Sequence, residues 1–170
     1  MNVAQIIDQL RDDAHFQENL TAWRTFAPRE GVHAAFPESV RPELVEGLRR
    51  RGITRLYRHQ RDAYAALEGG DNICVVTPTA SGKTLCYNLP VLNQLLVTPQ
   101  ARALYLFPTK ALSQDQVTEL TETLETLDVK IGAYTFDGDT PASARKAVRN
   151  AGHIVVTNPD MLHAGILPHH

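Results

Sequence analysis

The sequence predicts an α/β domain, a parallel sheet with helices on both faces, and three observations predict it. From residue 72 onward, short apolar runs alternate with amphipathic stretches, the mark of repeated strand–helix units. Runs such as Leu104-Tyr105-Leu106-Phe107 and Ile154-Val155-Val156 are apolar and rich in β-branched or aromatic residues, as strands covered on both faces should be. The first run, Ile73-Cys74-Val75-Val76, breaks into small residues and then Gly82-Lys83-Thr84, where a helix opens. A ligand on such a sheet belongs at the carboxyl ends of the strands, where that loop stands.

The elements follow in order. Val3, Ile6, Ile7 and Leu10 fall at helical spacing and predict a short amphipathic helix, with a weaker one over 16–23. Ala27-Pro28-Arg29-Glu30-Gly31 and then Phe36-Pro37 break regular structure, so residues 1–36 read as an N-terminal helical extension and 37–170 as the domain itself. Ser39 or Arg41-Pro42 opens a helix through Leu44, Val45 and Leu48, and Gly52 stops it after Arg49-Arg50-Arg51. A further helix covers 58–67 and ends at Gly69-Gly70. Strands are then predicted at 72–76, 103–107, 130–135 and 153–156. Helices are predicted at 83–96, 111–127 and 141–149, with a helical turn at 159–162.

Composition bounds the function. The 17 basic and 19 acidic residues leave a net charge of −2, so any nucleic-acid site must be local. The arginines between 49 and 61 read as cations balancing helix ends rather than as a patch. Cys74 and Cys86 lie in apolar segments without metal-ligand spacing, which points to buried, reduced thiols in the cytoplasm. No apolar run reaches the ~20 residues of a membrane span, and the N-terminus lacks the regions of a signal peptide.

The loop at 77–84 carries chemistry. Backbone N–H groups of a loop that opens a helix point at a bound anion, and the helix dipole adds to the attraction. Lys83 would reach the β- and γ-phosphates of a nucleoside triphosphate, and the Thr84 hydroxyl would ligate Mg²⁺. The strict pattern has glycine where Thr77 stands, so a bare strand-to-helix cap is the alternative.

Further motifs stand around it in a fixed order. Leu56-Tyr57-Arg58-His59-Gln60 precedes the loop; Phe107-Pro108-Thr109-Lys110-Ala111-Leu112-Ser113-Gln114 follows the second strand. Tyr134-Thr135-Phe136-Asp137-Gly138-Asp139-Thr140-Pro141 follows the third strand, and Thr157-Asn158-Pro159-Asp160 the fourth. Over residues 36–170 this set resembles the first motor domain of superfamily-2 helicases of the DEAD/DEAH-box type. Within that class it is most similar to DNA helicases related to mitomycin repair factor A, which carry a zinc-binding C-terminal region.

The resemblance implies a RecA-like P-loop NTPase domain, incomplete at the C-terminus, with ATP and Mg²⁺ as cofactors. Pro78, Thr79, Ala80, Ser81, Gly82, Lys83 and Thr84 would hold the phosphates. Gln60 would hydrogen-bond adenine with its donor and acceptor together, and Tyr57 would pack near the base. Pro108, Thr109, Lys110, Ser113 and Gln114 resemble motif Ia, and Thr157, Asn158 and Pro159 resemble motif Ib. Both would grip the backbone of one nucleic-acid strand, fixing position without reading sequence. Asp139 or Thr140 would cap the helix that follows the third strand, with Pro141 in its first turn.

The resemblance also implies what lies outside these residues: an Asp-Glu motif, a second motor domain and the zinc-binding region. The 170 residues alone are therefore expected to bind nucleotide without turning it over. His169 and His170 read as continuing sequence rather than metal ligands. Single- or double-stranded DNA as partner rests on the resemblance, because phosphate contacts serve RNA equally and no residue visibly reads a 2′-hydroxyl. Two other readings stay open: a different P-loop NTPase, such as a kinase or transport ATPase, and a non-catalytic nucleotide-binding fragment acting as an interaction module.

Overall fold

A computed structural model describes residues 2–27, 30–127 and 129–169, the last by its backbone. Pro28 and Arg29 of the expected break, and His170, lie outside the described residues. Contacts divide the chain into two compact units, Met1–Gly31 and Val32–His170.

In the first unit, α1 (Val3–Asp12) begins at a reciprocal cap. Asn2 accepts from the Gln5 backbone N–H at 2.9 Å while the Gln5 side chain accepts from the Asn2 N–H at 2.9 Å. The second helix, α2 (Ala14–Glu18), is shorter than its sequence suggests. Asn19 donates from its amide to the His15 carbonyl at 2.8 Å and closes the last turn. Trp23 instead lies edge-on to Phe16, with the Arg11 guanidinium 5.2 Å above its ring.

In the second unit, β1 (His33–Ala34) pairs antiparallel with β2 (Leu56–Tyr57). Between them α3 (Pro42–Arg50) starts with proline in its first turn, and it crosses α6 (Lys110–Leu127) closely. Gly47 lies at that crossing, where a Cβ would stand 2.1 Å from Leu127 Cδ2. The helix α4 (Arg58–Glu68) packs on α5 (Lys83–Val97). The sheet is parallel, in the order β3 (Ala103–Leu106), β5 (Ile154–Thr157), β4 (Ala133–Thr135). Leu106 is paired with Thr157, and Thr135 with Val156, so the three strands end side by side.

The alternation of side chains across the strands assigns the two faces. Tyr105, Ile154 and Val156 turn into one core with Leu44, Leu48, Leu56, Tyr64, Leu89, Leu92, Leu120 and Leu124. On the other face, α7 (Ala142–Ala151) brings Val148 beside Val155 and Leu104.

The strand expected at 72–76 is not one. Ile73, Val75 and Thr77 are half-buried while Cys74 and Val76 are exposed, so the alternation of a strand is there. Its ladder is missing. Ile73 and the β3 residues Leu104 and Leu106 line one cleft of about 670 Å³ instead of pairing, and no strand is hydrogen-bonded to the segment among the described residues. Neither Asp139 nor Thr140 caps α7: Pro141 is the cap residue, without a side-chain hydrogen bond. The segment after β5 forms a short turn, α8 (Pro159–Met161), and continues as a π-turn over Leu162–Ile166.

A buried polar pair ties sheet to helix. The Tyr105 hydroxyl donates to Asn88 Oδ1 at 2.9 Å, and burial, with Tyr87 alongside, pushes its pKa far above the ordinary range. The neutral phenol is the folded form. Its contribution is complete below the unfolded pKa of about 10 and is lost as pH rises past it. In urea unfolding between pH 8 and 11, stability should fall steeply above pH 10, and Tyr105→Phe should flatten that fall.

Candidate functional site

The helix α5 opens on Gly82, which lies at φ +75°, after Ala80 at φ +58°. No side chain caps this end, so its first N–H groups remain available to an anion. Lys83 Nζ donates to the carbonyls of Thr77 (2.8 Å) and Pro78 (2.7 Å), folding the loop around its own ammonium. Thr77, standing where the strict pattern has glycine, shares a 2.6 Å hydrogen bond with the Ser81 hydroxyl across the loop. Thr79 and Ala80 form the exposed tip.

These residues fit a triphosphate. Lys83 is held by two neutral carbonyls that charged phosphate oxygens outcompete. Thr84 is half-buried in the first turn of α5, and the lone pairs of its hydroxyl can ligate a metal. Burial raises the Tyr87 pKa, with Thr84 nearby opposing, and the phenol donates to Gln116 Oε1 at 2.8 Å.

Gln60 is buried, and both ends of its amide are engaged within the protein. Its Oε1 accepts from the Tyr57 N–H and its Nε2 donates to the Gly82 carbonyl, each at 2.8 Å. The side chain expected to read a base thus also ties the start of α4 to the start of α5. One N–H and one lone pair remain for a ligand. Glycine at 82 is required twice over, because a Cβ there would stand 2.6 Å from Gln60 Nε2 as well as at positive φ.

Tyr57 carries two imidazoles against its ring, His33 at 4.8 Å and His59 at 5.7 Å between centroids. His33 escaped the sequence reading because only the pairing of β1 with β2, distant in sequence, brings it there. Tyr57, Gln60, Gly82 and Thr84 line one cavity of about 550 Å³ together with His33, Arg55 and Glu119.

The second group of predicted residues lies at the carboxyl ends of β3 and β5. Pro108, Thr109, Lys110 and Gln114 are exposed just after β3; Pro159 is exposed and Asn158 half-exposed just after β5. Asn158 accepts from the Met161 N–H at 2.8 Å and caps the final turn. Thr109 accepts from the Leu112 N–H at 3.3 Å.

Two residues of the set face inward. Thr157 is fully buried and its hydroxyl donates to the Phe136 carbonyl at 2.5 Å, stitching β5 to the end of β4. Ser113 is buried and donates to the Thr109 carbonyl at 3.1 Å. Buried hydroxyls find a partner within the protein, and both of these side chains are spent on backbone carbonyls and turned away from the surface where a strand was expected.

Lys110 also differs from a free cation. Its ammonium pairs with Asp139 and lies 3.7 Å from Asp137, both in the loop after β4. Arg145 holds that loop through the carbonyls of Asp137, Gly138 and Thr140. The sequence placed this stretch after the third strand; its pairing with Lys110 depends on the order of the strands.

Comparison with known proteins places the chain. Residues 57–170 match the DEAD/DEAH box helicase family. YprA of Bacillus subtilis, an uncharacterized ATP-dependent helicase, is 50% identical over 164 residues, covering 96% of this chain and 22% of that protein. The ATP-dependent helicase hrq1 of Schizosaccharomyces pombe is 35% identical over 98% of this chain and 16% of its own length. A crystal structure of the DUF1998 helicase MrfA bound to DNA and AMPPNP superposes with a TM-score of 0.86 at 48% identity, over 100% of this chain and 23% of that one. The chain belongs to the DEAD/DEAH box helicase family, and it spans about a fifth of the length of these relatives.

Proposed function

We propose that this chain is the nucleotide-binding and strand-gripping part of the first motor domain of an ATP-dependent DNA helicase, with residues 37–170 as that portion of the motor. The observation that carries it is the meeting of the uncapped start of α5 and the Gln60 amide at one cavity, with Lys83 held in the adjoining loop by the carbonyls of Thr77 and Pro78. Lys83, Gly82 and the loop 78–81 would bind the phosphates of ATP, Thr84 would ligate Mg²⁺, and Gln60 and Tyr57 would lie beside the base. Bound Mg²⁺ would neutralise charge on the β- and γ-phosphates. Pro108, Thr109, Lys110, Gln114, Asn158 and Pro159 would meet one strand of DNA. That partner is favoured over RNA by the similarity to a helicase solved with DNA.

In this reading residues 1–170 bind ATP without turnover. Hydrolysis needs acidic partners for the metal and a positioned water, and in the resemblance these come from an Asp-Glu motif outside residues 1–170. A second motor domain and a cytoplasmic location complete the reading. The free thiols of Cys74 and Cys86 suit a reducing compartment.

Lys83→Ala tests it. Losing a charge-assisted contact to phosphate should weaken ATP by roughly 10- to 100-fold, while nucleotide-free binding to a single-stranded oligonucleotide stays within about twofold. Titration of a fluorescent ATP analogue and of a labelled oligonucleotide reads both. Unchanged ATP affinity would sink the proposal.

A further inference from the structure

We infer that Tyr87 is a positioning residue that couples the nucleotide site to the strand-gripping segment after β3. This rests on the proposed function, since it links the two sites named there, and it assigns a residue that belongs to neither.

The path between the sites is short on both sides. Lys83 and Thr84 open α5, and Tyr87 stands about one turn further along that helix. Lys110, Ser113 and Gln114 lie in the opening turns of α6, and Gln116 follows within a turn of them. The Tyr87 hydroxyl donates to Gln116 Oε1 at 2.8 Å. Among the described residues this is the one side-chain hydrogen bond that joins α5 to α6. Both side chains are half-buried, where a hydrogen bond is less exposed to competition from water.

The Tyr87 ring makes a second connection. It lies edge-on to Tyr105 of β3 with centroids 5.3 Å apart, and Tyr105 lies edge-on to Phe107 at 6.4 Å. Phe107 directly precedes Pro108, where the exposed segment begins. Tyr105 is itself buried and bonded to Asn88, the neighbour of Tyr87 in α5. Tyr87 therefore reaches the segment 108–114 from both ends, through Tyr105 on the β3 side and through Gln116 on the α6 side. A ligand that fixes the start of α5 also fixes this segment in part. The second ligand then loses less conformational freedom on binding, which makes the two bind cooperatively without any change of shape. By linkage, each ligand tightens the other by the same factor.

The test measures, by calorimetry, the affinity for a non-hydrolysable ATP analogue with Mg²⁺, in the presence and absence of a saturating single-stranded oligonucleotide. The oligonucleotide should tighten the analogue about fivefold. The analogue alone should slow amide hydrogen exchange over residues 109–116. Tyr87→Phe keeps the ring on Tyr105 and removes the donor. It should leave each ligand alone within about twofold, bring the coupling to within about twofold of none, and abolish the change in exchange. Gln116→Met should act likewise, and the double variant should do no more than either single one, because all three lose the same bond. Fivefold coupling that persists in Tyr87→Phe would overturn the inference. So would a variant that loses affinity for each ligand separately and melts earlier, since Tyr87 would then only support the fold. Binding of both ligands to the unsubstituted protein without coupling would overturn the inference alone. Failure of that protein to bind one of the two ligands would instead remove the proposed function and the inference with it.

Discussion

Gly82→Val is expected to cost about 2–5 kcal/mol of stability and to remove measurable nucleotide affinity. Two effects add. A residue with a Cβ at φ +75° is strained by about 1–2 kcal/mol, more when β-branched. The new Cβ would also stand 2.6 Å from Gln60 Nε2, forcing the buried amide away from its bonds to Tyr57 and Gly82, and a buried polar group left unpaired costs about 1–3 kcal/mol. The binding loss has its own cause, because the N–H groups opening α5 would no longer converge on the anion. Thermal unfolding and ATP titration on the same variant read both effects. Intact ATP binding in a destabilised variant would show that the start of α5 does not form the site.

Leu89→Ala is expected to destabilise the protein by about 3–4 kcal/mol. Leu89 is fully buried in α5, in the cluster that joins α3, α4 and α6 to β3 and β5. For a domain whose total stability is about 5–15 kcal/mol, this is a large part of the whole. Leu89→Met, similar in volume, should cost less than about 1.5 kcal/mol, and urea unfolding of the pair separates volume from chemistry. Equal losses would mean that the cavity around Leu89 collapses without cost.

Local signals carried most of the fold. Arg41-Pro42 set the start of α3, Gly69-Gly70 the end of α4 and Gly82-Lys83 the start of α5, because caps and breakers act within a turn of themselves. The apolar β-branched runs located β3, β4 and β5. The failure at 72–76 has the opposite cause. A strand exists by virtue of its neighbour, and Ile73 and Val75 alternate in burial without a ladder to join.

In the candidate site, the loop around Lys83 was legible because its chemistry is contiguous. His33 was not, since β1 is two residues long and defined wholly by its pairing with β2. Thr157 and Ser113 carried the right functional groups, but which side of its element a hydroxyl faces is settled only by packing.

The pairing of Lys110 has a consequence for how a strand would arrive. The Lys110 ammonium and the Arg145 guanidinium there offset the carboxylates of Asp137 and Asp139, so the corner beyond β3 and β4 holds no net charge. Such a corner exerts no long-range pull on a polyanion and offers no counterion-releasing cation until the pair opens. A strand would find this face by short-range fit to neutral donors, and its arrival rate would respond little to ionic strength. Capture of DNA from a distance would then fall to surfaces elsewhere in the protein.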